Sequence, residues 1–181
     1  MGSIIIREAN TNDSHAIGAL HVASWRETYE GLLRQRVLNG MSADARSRTW
    51  RAILTDPVSF DEMAVFVAQD GGVMVGFCAH SVQTHEGLKE QGFDSEIGAI
   101  YVLKSHQHIG VGRALMVLMA RNLLGTGRRA TSLWVLRENI SARNFYERLG
   151  GMLVCERTDT ISGTLRNEVA YGWRNLEQLV G

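Results

Sequence analysis

The chain has 181 residues but only two cysteines, one proline and no surplus of charge, and each shortage removes a class of protein. Cys78 and Cys155 stand alone with no C-x-x-C spacing, which argues against a disulfide framework and suits two packed thiols in a reducing, cytoplasmic compartment. Nineteen basic residues against nineteen acidic ones leave no net charge, so composition gives no footprint for nucleic acid or for an anionic membrane surface. No apolar run approaches the roughly 20 residues a membrane span needs. The N-terminal Ile4-Ile5-Ile6 is too short for a secretion signal. Repeats, low-complexity tracts and linkers are absent as well. At 45% hydrophobic and 21% charged, the composition is that of an ordinary globular protein, and a single domain over 1–181 is expected.

What is present reads as a mixed α/β pattern. A strand at 3–8 leads into Asn10-Thr11-Asn12-Asp13, which is N-cap chemistry for the helix carrying Ile17, Leu20, His21, Ser24, Trp25 and Tyr29. Further helical stretches are expected over 33–39 and 42–54, the latter ended by Asp56-Pro57. Residues 63–69 and 73–82 flank Gly71-Gly72 and predict a hairpin, while 84–93 reads as a polar loop. Then come a strand at 96–102, a helix at 110–124, a strand at 130–136, another helix, and a last hairpin of 152–160 with 165–173 turning at 161–164.

The densest information lies at Gln107-His108-Ile109-Gly110-Val111-Gly112, between an apolar strand and a long helix. A glycine-bearing turn that feeds a helix N-terminus gathers free backbone N–H groups and the positive end of the helix dipole, an arrangement suited to phosphate oxygens. The strand–helix–strand segment 96–136 forms a βαβ unit with parallel strands, and ligands bind beyond the carboxyl ends of such strands, here Val102 and Leu136.

The turn resembles the Q/R-x-x-G-x-G/A acetyl-CoA signature of the GCN5-related N-acetyltransferases, the GNAT superfamily. The run Asn139-Ile140-Ser141-Ala142-Arg143-Asn144-Phe145-Tyr146-Glu147-Arg148-Leu149-Gly150-Gly151 is similar to that superfamily's N-x-x-A-x-x-F-Y-x-x-L-G-F block, with Gly151 where an aromatic is usual. The resemblance spans about 96–151 in order and spacing. It implies an α/β fold of the α+β type: a mixed, mostly antiparallel sheet, one parallel strand pair splayed around a cofactor cleft, and helices on both faces. It also implies acetyl-CoA as co-substrate, lying along Tyr101 and Val102, with its pyrophosphate on Gln107, His108, Ile109, Gly110, Val111, Gly112 and Arg113, and its arm beside Asn139 and Tyr146.

The implied reaction moves an acetyl group to a primary amine of a small molecule or peptide. An alkyl ammonium is neutral for less than about one part in a thousand at neutral pH, so its deprotonation needs help. By resemblance Glu96 takes that proton, the backbone N–H near Val102 serves the oxyanion, and Tyr146 protonates the departing thiolate. Trp25-Arg26-Glu27-Thr28-Tyr29-Glu30-Gly31-Leu32-Leu33 is similar to a segment of some small superfamily members, and Trp25 and Tyr29, one helical turn apart, are expected to line the acceptor pocket. His106 and His108 find no third ligand nearby beyond His85 in a loop, so no metal is expected. A homodimer fits the superfamily's habit. The alternative function is a non-catalytic acyl-CoA sensor on the same fold. Two departures bear on the turn: Lys104 replaces a common proline, and His108 occupies a position that often holds glycine or a basic residue.

Overall fold

A computed structural model describes residues 3–161 and 163–181. Seven strands form one sheet in the order β1-β2-β3-β4-β5-β7-β6. In chain order they are β1 (Ile4–Glu8), β2 (Ala64–Asp70), β3 (Val73–Val82), β4 (Ser95–Val102), β5 (Thr131–Leu136), β6 (Met152–Ile161) and β7 (Thr164–Trp173). Every pairing is antiparallel except β4 with β5. The helices are α1 (Ser14–Tyr29), α2 (Gln35–Asn39), α3 (Ala43–Thr55), α4 (Glu86–Lys89), α5 (Val111–Gly125), α6 (Ile140–Arg148) and α7 (Glu177–Val180). None is long and apolar enough to cross a membrane, among the described residues.

The sheet separates two cores. On one face α1 and α3 bury Ile17, Leu20, Trp50 and Ile53 against Val65, Val67, Phe77 and Ala99. On the other, α5 inserts Leu115, Met116, Met119 and Leu123 among Phe66, Val75, Ile97 and Val135, with Tyr146 of α6 and Leu179 of α7 closing the cluster. The spacing of those four α5 residues, i, i+1, i+4 and i+8, gives one apolar stripe, which is why this segment crosses over as a helix. Gly18 lets α1 and α3 touch: a Cβ there would lie 2.3 Å from Ser47 Oγ and 2.5 Å from its backbone nitrogen.

Most element boundaries fall within a few residues of those expected. Gly71 (φ 57°) and Gly72 (φ 85°) take the two positive-φ positions of the predicted hairpin turn. The expected turn at 161–164 includes Ser162, which lies outside the described residues. The expected polar loop 84–93 needs correction. It contains α4, and its Leu88 and Phe93 are fully buried against Ala130 and Ala170. Two apolar residues in a polar stretch anchor it because they fill the pocket under β5 and β7. Cys78 and Cys155 are both free thiols, the first buried in β3.

Candidate active site

The site begins where β4 and β5 part. Their parallel pairing holds only for Ser95 with Thr131 and Glu96 with Ser132, and no pairing follows. Beyond that point the strands diverge and leave a cleft of about 690 Å³ between them.

A bulge in β4 decides which groups face the gap. The register with β3 pairs Ile97 with His80 and Ala99 with Ala79, so Gly98 is the extra residue. Before the bulge Ser95 N–H donates to Ala130 O at 3.2 Å, towards β5. After it Leu103 N–H donates to Val75 O at 3.0 Å, towards β3. An antiparallel ladder alternates these directions, so Ile100 and Val102 turn their N–H and C=O groups into the cleft. The side chains sort the same way. Ile97, Ile100 and Val102 lie on the α5 face, while Glu96 (from the strand's pleat), Ala99 and Tyr101 lie on the α1 face.

The glycine-bearing turn closes the α5 side. Gly110 caps α5 at φ 92° with no side-chain cap, and its carbonyl accepts from Ala114 N–H at 3.0 Å. The N–H groups of Val111, Gly112 and Arg113 therefore have no partner within the helix. A Cβ on Gly110 would meet nothing within 4 Å, so that glycine is required for its left-handed backbone. Gly112 is required for space, since its Cβ would press on the Phe145 ring at 3.1 Å. His108 sits at φ 62°, the left-handed region, so the histidine replaces glycine at a backbone strain that this residue type tolerates better than most. Gln107 Nε2 donates to Val102 O at 2.9 Å and ties the turn to the end of β4. Lys104 N–H donates to Glu27 Oε2 at 2.9 Å, fastening the approach to α1 where a proline would otherwise stiffen it.

Most of the expected ligand-side residues converge on this cleft: Tyr101, Val102, Gln107, His108, Gly110, Gly112, Arg113, Asn139 and Tyr146 all line it. The side chains of Ile109 and Val111 do not, because Ile109 points to solvent and Val111 packs in the core. Arg148 joins Lys104 and Arg113 in the wall, a cation that sequence reading missed. Asn139 caps α6, its Oδ1 accepting from Ala142 N–H at 3.2 Å, and the residue lines the cleft. Tyr146 is buried beside Tyr171 and Trp173, and burial pushes its phenol above the ordinary range. It therefore holds its proton throughout the neutral range. At Gly151, where an aromatic was expected, a Cβ would lie 2.7 Å from Trp173 Cζ2, so the Trp173 indole occupies that space instead.

Through the gap between β4 and β5 lies a second cavity of about 290 Å³, on the α1 side. Trp25, Tyr29 and Glu96 all line it, together with Leu33, Leu133, Trp134, Arg157 and Glu168. Trp25 and Tyr29 meet edge to face, 4.8 Å between centroids, and Trp25 Nε1 donates to the Tyr101 hydroxyl at 2.8 Å. His21 stacks on the Tyr101 ring at 5.2 Å, and its Nδ1 accepts from Trp50 Nε1 at 3.1 Å. Burial, with Arg46 nearby, lowers the His21 pKa to about 4, so the ring is neutral at pH 7. Glu96 accepts only long bonds from Thr84, 3.5 Å from the amide and 3.3 Å from the hydroxyl. Arg157 and Glu168 were not legible as site residues, because only the β5–β7–β6 pairing brings them near β4, whereas Trp134 stands on β5 itself. No group of three or more His, Cys, Asp or Glu able to hold a metal ion occurs among the described residues.

Comparison with known proteins places the same residues in a family. The model of the Acetyltransferase (GNAT) family matches residues 19–151. The uncharacterized N-acetyltransferase YuaI of Bacillus subtilis is 33% identical over 177 residues, 97% of this chain and 96% of its own. A mycothiol acetyltransferase of Streptomyces avermitilis is 32% identical over 124 residues, 67% of this chain but 33% of its own length. Two solved structures share the fold. PaiA N-acetyltransferase from Thermoplasma acidophilum, in complex with coenzyme A, has a TM-score of 0.72 at 18% identity, over 92% of this chain and 98% of its own. The putative acetyltransferase YncA from Salmonella typhimurium, with its cofactor acetyl-CoA, has a TM-score of 0.70 at 16% identity, over 96% and 94%. The splayed parallel pair, the glycine-bearing helix start and the block from Asn139 all fall inside the matched segment, and on that match the chain belongs to the GNAT acetyltransferase family.

Proposed function

We propose that the protein is an acetyl-CoA-dependent N-acetyltransferase that moves an acetyl group directly to a primary amine. The observation that carries this reading is the cleft opened by the loss of β4–β5 pairing after Glu96 and Ser132, with a free helix N-terminus at one end and a buried tyrosine in its wall. The residues fit acetyl-CoA in three respects. The α5 start offers N–H groups beside Lys104, Arg113 and Arg148 for phosphates. Space lies open at Gly110 for close approach. The Ile100 and Val102 N–H groups face the gap, the first available to an extended amide-bearing arm and the second to the acyl oxygen. When bound, acetyl-CoA supplies an acyl thioester.

The reaction forms a C–N bond and breaks the C–S bond; the entering ammonium nitrogen loses two protons in all, the sulfur gains one, and the other leaves to solvent. Glu96, on the acceptor side of the sheet, is the carboxylate placed to take the amine proton, directly or through water. The Val102 N–H is placed to stabilise negative charge on the acyl oxygen. Tyr146, kept protonated by burial, is the donor to the leaving sulfur. Trp25 and Tyr29 wall the acceptor's entry.

The test is a free-thiol assay over a panel of amines with Tyr146→Phe beside the native protein. The variant keeps the ring packing and loses only the hydroxyl. We expect kcat to fall by about 10² or more with acetyl-CoA affinity unchanged. A loss below about threefold rejects the role of Tyr146. Acetyl-CoA binding without turnover of any amine supports a non-catalytic sensor instead.

A further inference from the structure

The second cavity limits what the acceptor can be. Its walls are aromatic and apolar on several sides: Trp25, Tyr29, Trp134, Leu33 and Leu133. Its charged lining is two carboxylates, Glu96 and Glu168, against one guanidinium, Arg157. That guanidinium is already spoken for. Arg157 Nε donates to Glu168 Oε2 at 2.8 Å, another of its nitrogens lies 2.8 Å from the same oxygen and 3.4 Å from Asp159, and its plane sits 4.1 Å from the centre of the Trp134 ring. Arg46, 5.8 Å from the Trp25 ring, does not line the cavity, and Lys104, Arg113 and Arg148 belong to the other one.

We infer that the acceptor is a cationic amine on an apolar or aromatic body, with no carboxylate on the amine-bearing carbon. An ammonium entering here meets the weakly held Glu96 carboxylate, which attracts it, while the aromatic and apolar walls take the body that carries it. An α-amino acid would bring a carboxylate beside Glu96 and Glu168 with no free cation to receive it. The pocket thus selects by rejection: Glu168 neutralises the one arginine that could have bound an α-carboxylate. This inference rests on the acetyltransferase reading and names the substrate class of that site.

The experiment uses the full chain with matched pairs, phenethylamine against phenylalanine and isopentylamine against leucine. Two readouts run together: thiol release with acetyl-CoA, and quenching of tryptophan fluorescence in protein saturated with CoA. The amine of each pair should lead in kcat/KM by at least about tenfold and should quench at lower concentration. Glu168→Gln releases Arg157 from its nearest carboxylate and should shift the ratio towards the amino acid. Arg157→Gln should shift it further towards the amine. In both variants acetyl-CoA affinity, measured by calorimetry, reports that the fold is kept. Amino acids taken as well as the amines overturn the inference and leave the acetyltransferase reading intact. Quenching by amines without thiol release upholds the pocket's selectivity and overturns acetyl transfer. Quenching by neither member, or a ratio unmoved in both variants, overturns the inference.

Discussion

Two buried histidines set an acid limit on this fold, and the size of the effect follows from their surroundings. His21 lies under Tyr101 and takes a hydrogen bond from Trp50 on Nδ1; His80 stacks on Phe66, with Nε2 2.9 Å from Asn122 Oδ1. Burial lowers both pKa values from 6.5 to about 4. The native state is therefore the one that refuses the proton, and the unfolded chain takes it first. Stability from these sites is complete above pH 6.5 and drains as pH falls through 6.5 towards 4. At pH 5 the unfolded form gains about 2 kcal/mol per histidine, or about 4 kcal/mol for the pair. Against a typical total of about 5–15 kcal/mol that is a large fraction. For a chain of this size it should lower the melting temperature by about 8–16 °C between pH 7 and pH 5.

The assay is urea unfolding followed by circular dichroism at pH 7, 6 and 5, repeated with His80→Gln, which can still bond Asn122. The native protein should lose stability with a slope approaching two protons, and the variant with about one. The Asp13–Arg7 pair does not enter this window, because the hydrogen bonds from Arg7 and from the Asn10 N–H outweigh burial and hold the Asp13 carboxyl below its ordinary 3.8, so its contribution is lost only at lower pH. A midpoint that does not move between pH 7 and pH 5, or a variant that keeps the full slope, refutes the reasoning. The result also matters for function. His21 touches the wall of the second cavity through Tyr101, so an acidic loss of activity would report on Glu96 only where the protein is still folded.

Much of the fold was legible because its signals are local. The glycine pair 71–72, the cap at Asn139 and the apolar stripe of α5 each state their structure within a few residues. The turn at 107–112 was legible as an anion-competent helix start for the same reason. Three matters were not. The anchoring of the loop 84–93 depends on what Leu88 and Phe93 meet in β5 and β7. Glu168 reaches the second cavity only because Leu136 pairs with it across the β5–β7 ladder and Arg157 pairs with it from β6. The bulge at Gly98 leaves no sequence mark beyond one glycine in a strand, yet it shifts the alternation of everything after it. Continuous alternation would put Glu96 and Val102 on one face; the bulge puts Glu96 on the α1 side and Val102 with the α5 core.

Three further substitutions test the two sides of the sheet and the gap between them. Gly110→Asp forces a Cβ into a left-handed backbone position and sets a negative charge beside the free N–H groups, so calorimetry should show acetyl-CoA affinity lost; unchanged affinity removes the phosphate site from this turn. Glu96→Gln should reduce turnover near neutral pH and flatten the acidic limb of kcat/KM, and a limb that persists assigns the proton to another group. Gly98→Val is the most discriminating of the three, because it separates fold from function at a single atom. Gly98 is exposed, its φ is not in the left-handed region, and an added Cβ would meet no atom within 4 Å. A β-branched residue suits a strand, so the melting temperature should hold within a few degrees, and the backbone cost at the bulge is the only charge against it. The same position borders both cavities, so the isopropyl group must stand in the passage where acyl donor and amine would meet. Loss of at least about tenfold in kcat/KM is expected, as misplacement of reacting groups by an ångström costs that much or more. Full activity in Gly98→Val would show that the two substrates do not meet through the gap between β4 and β5, and the mechanism built on that gap would fail with it.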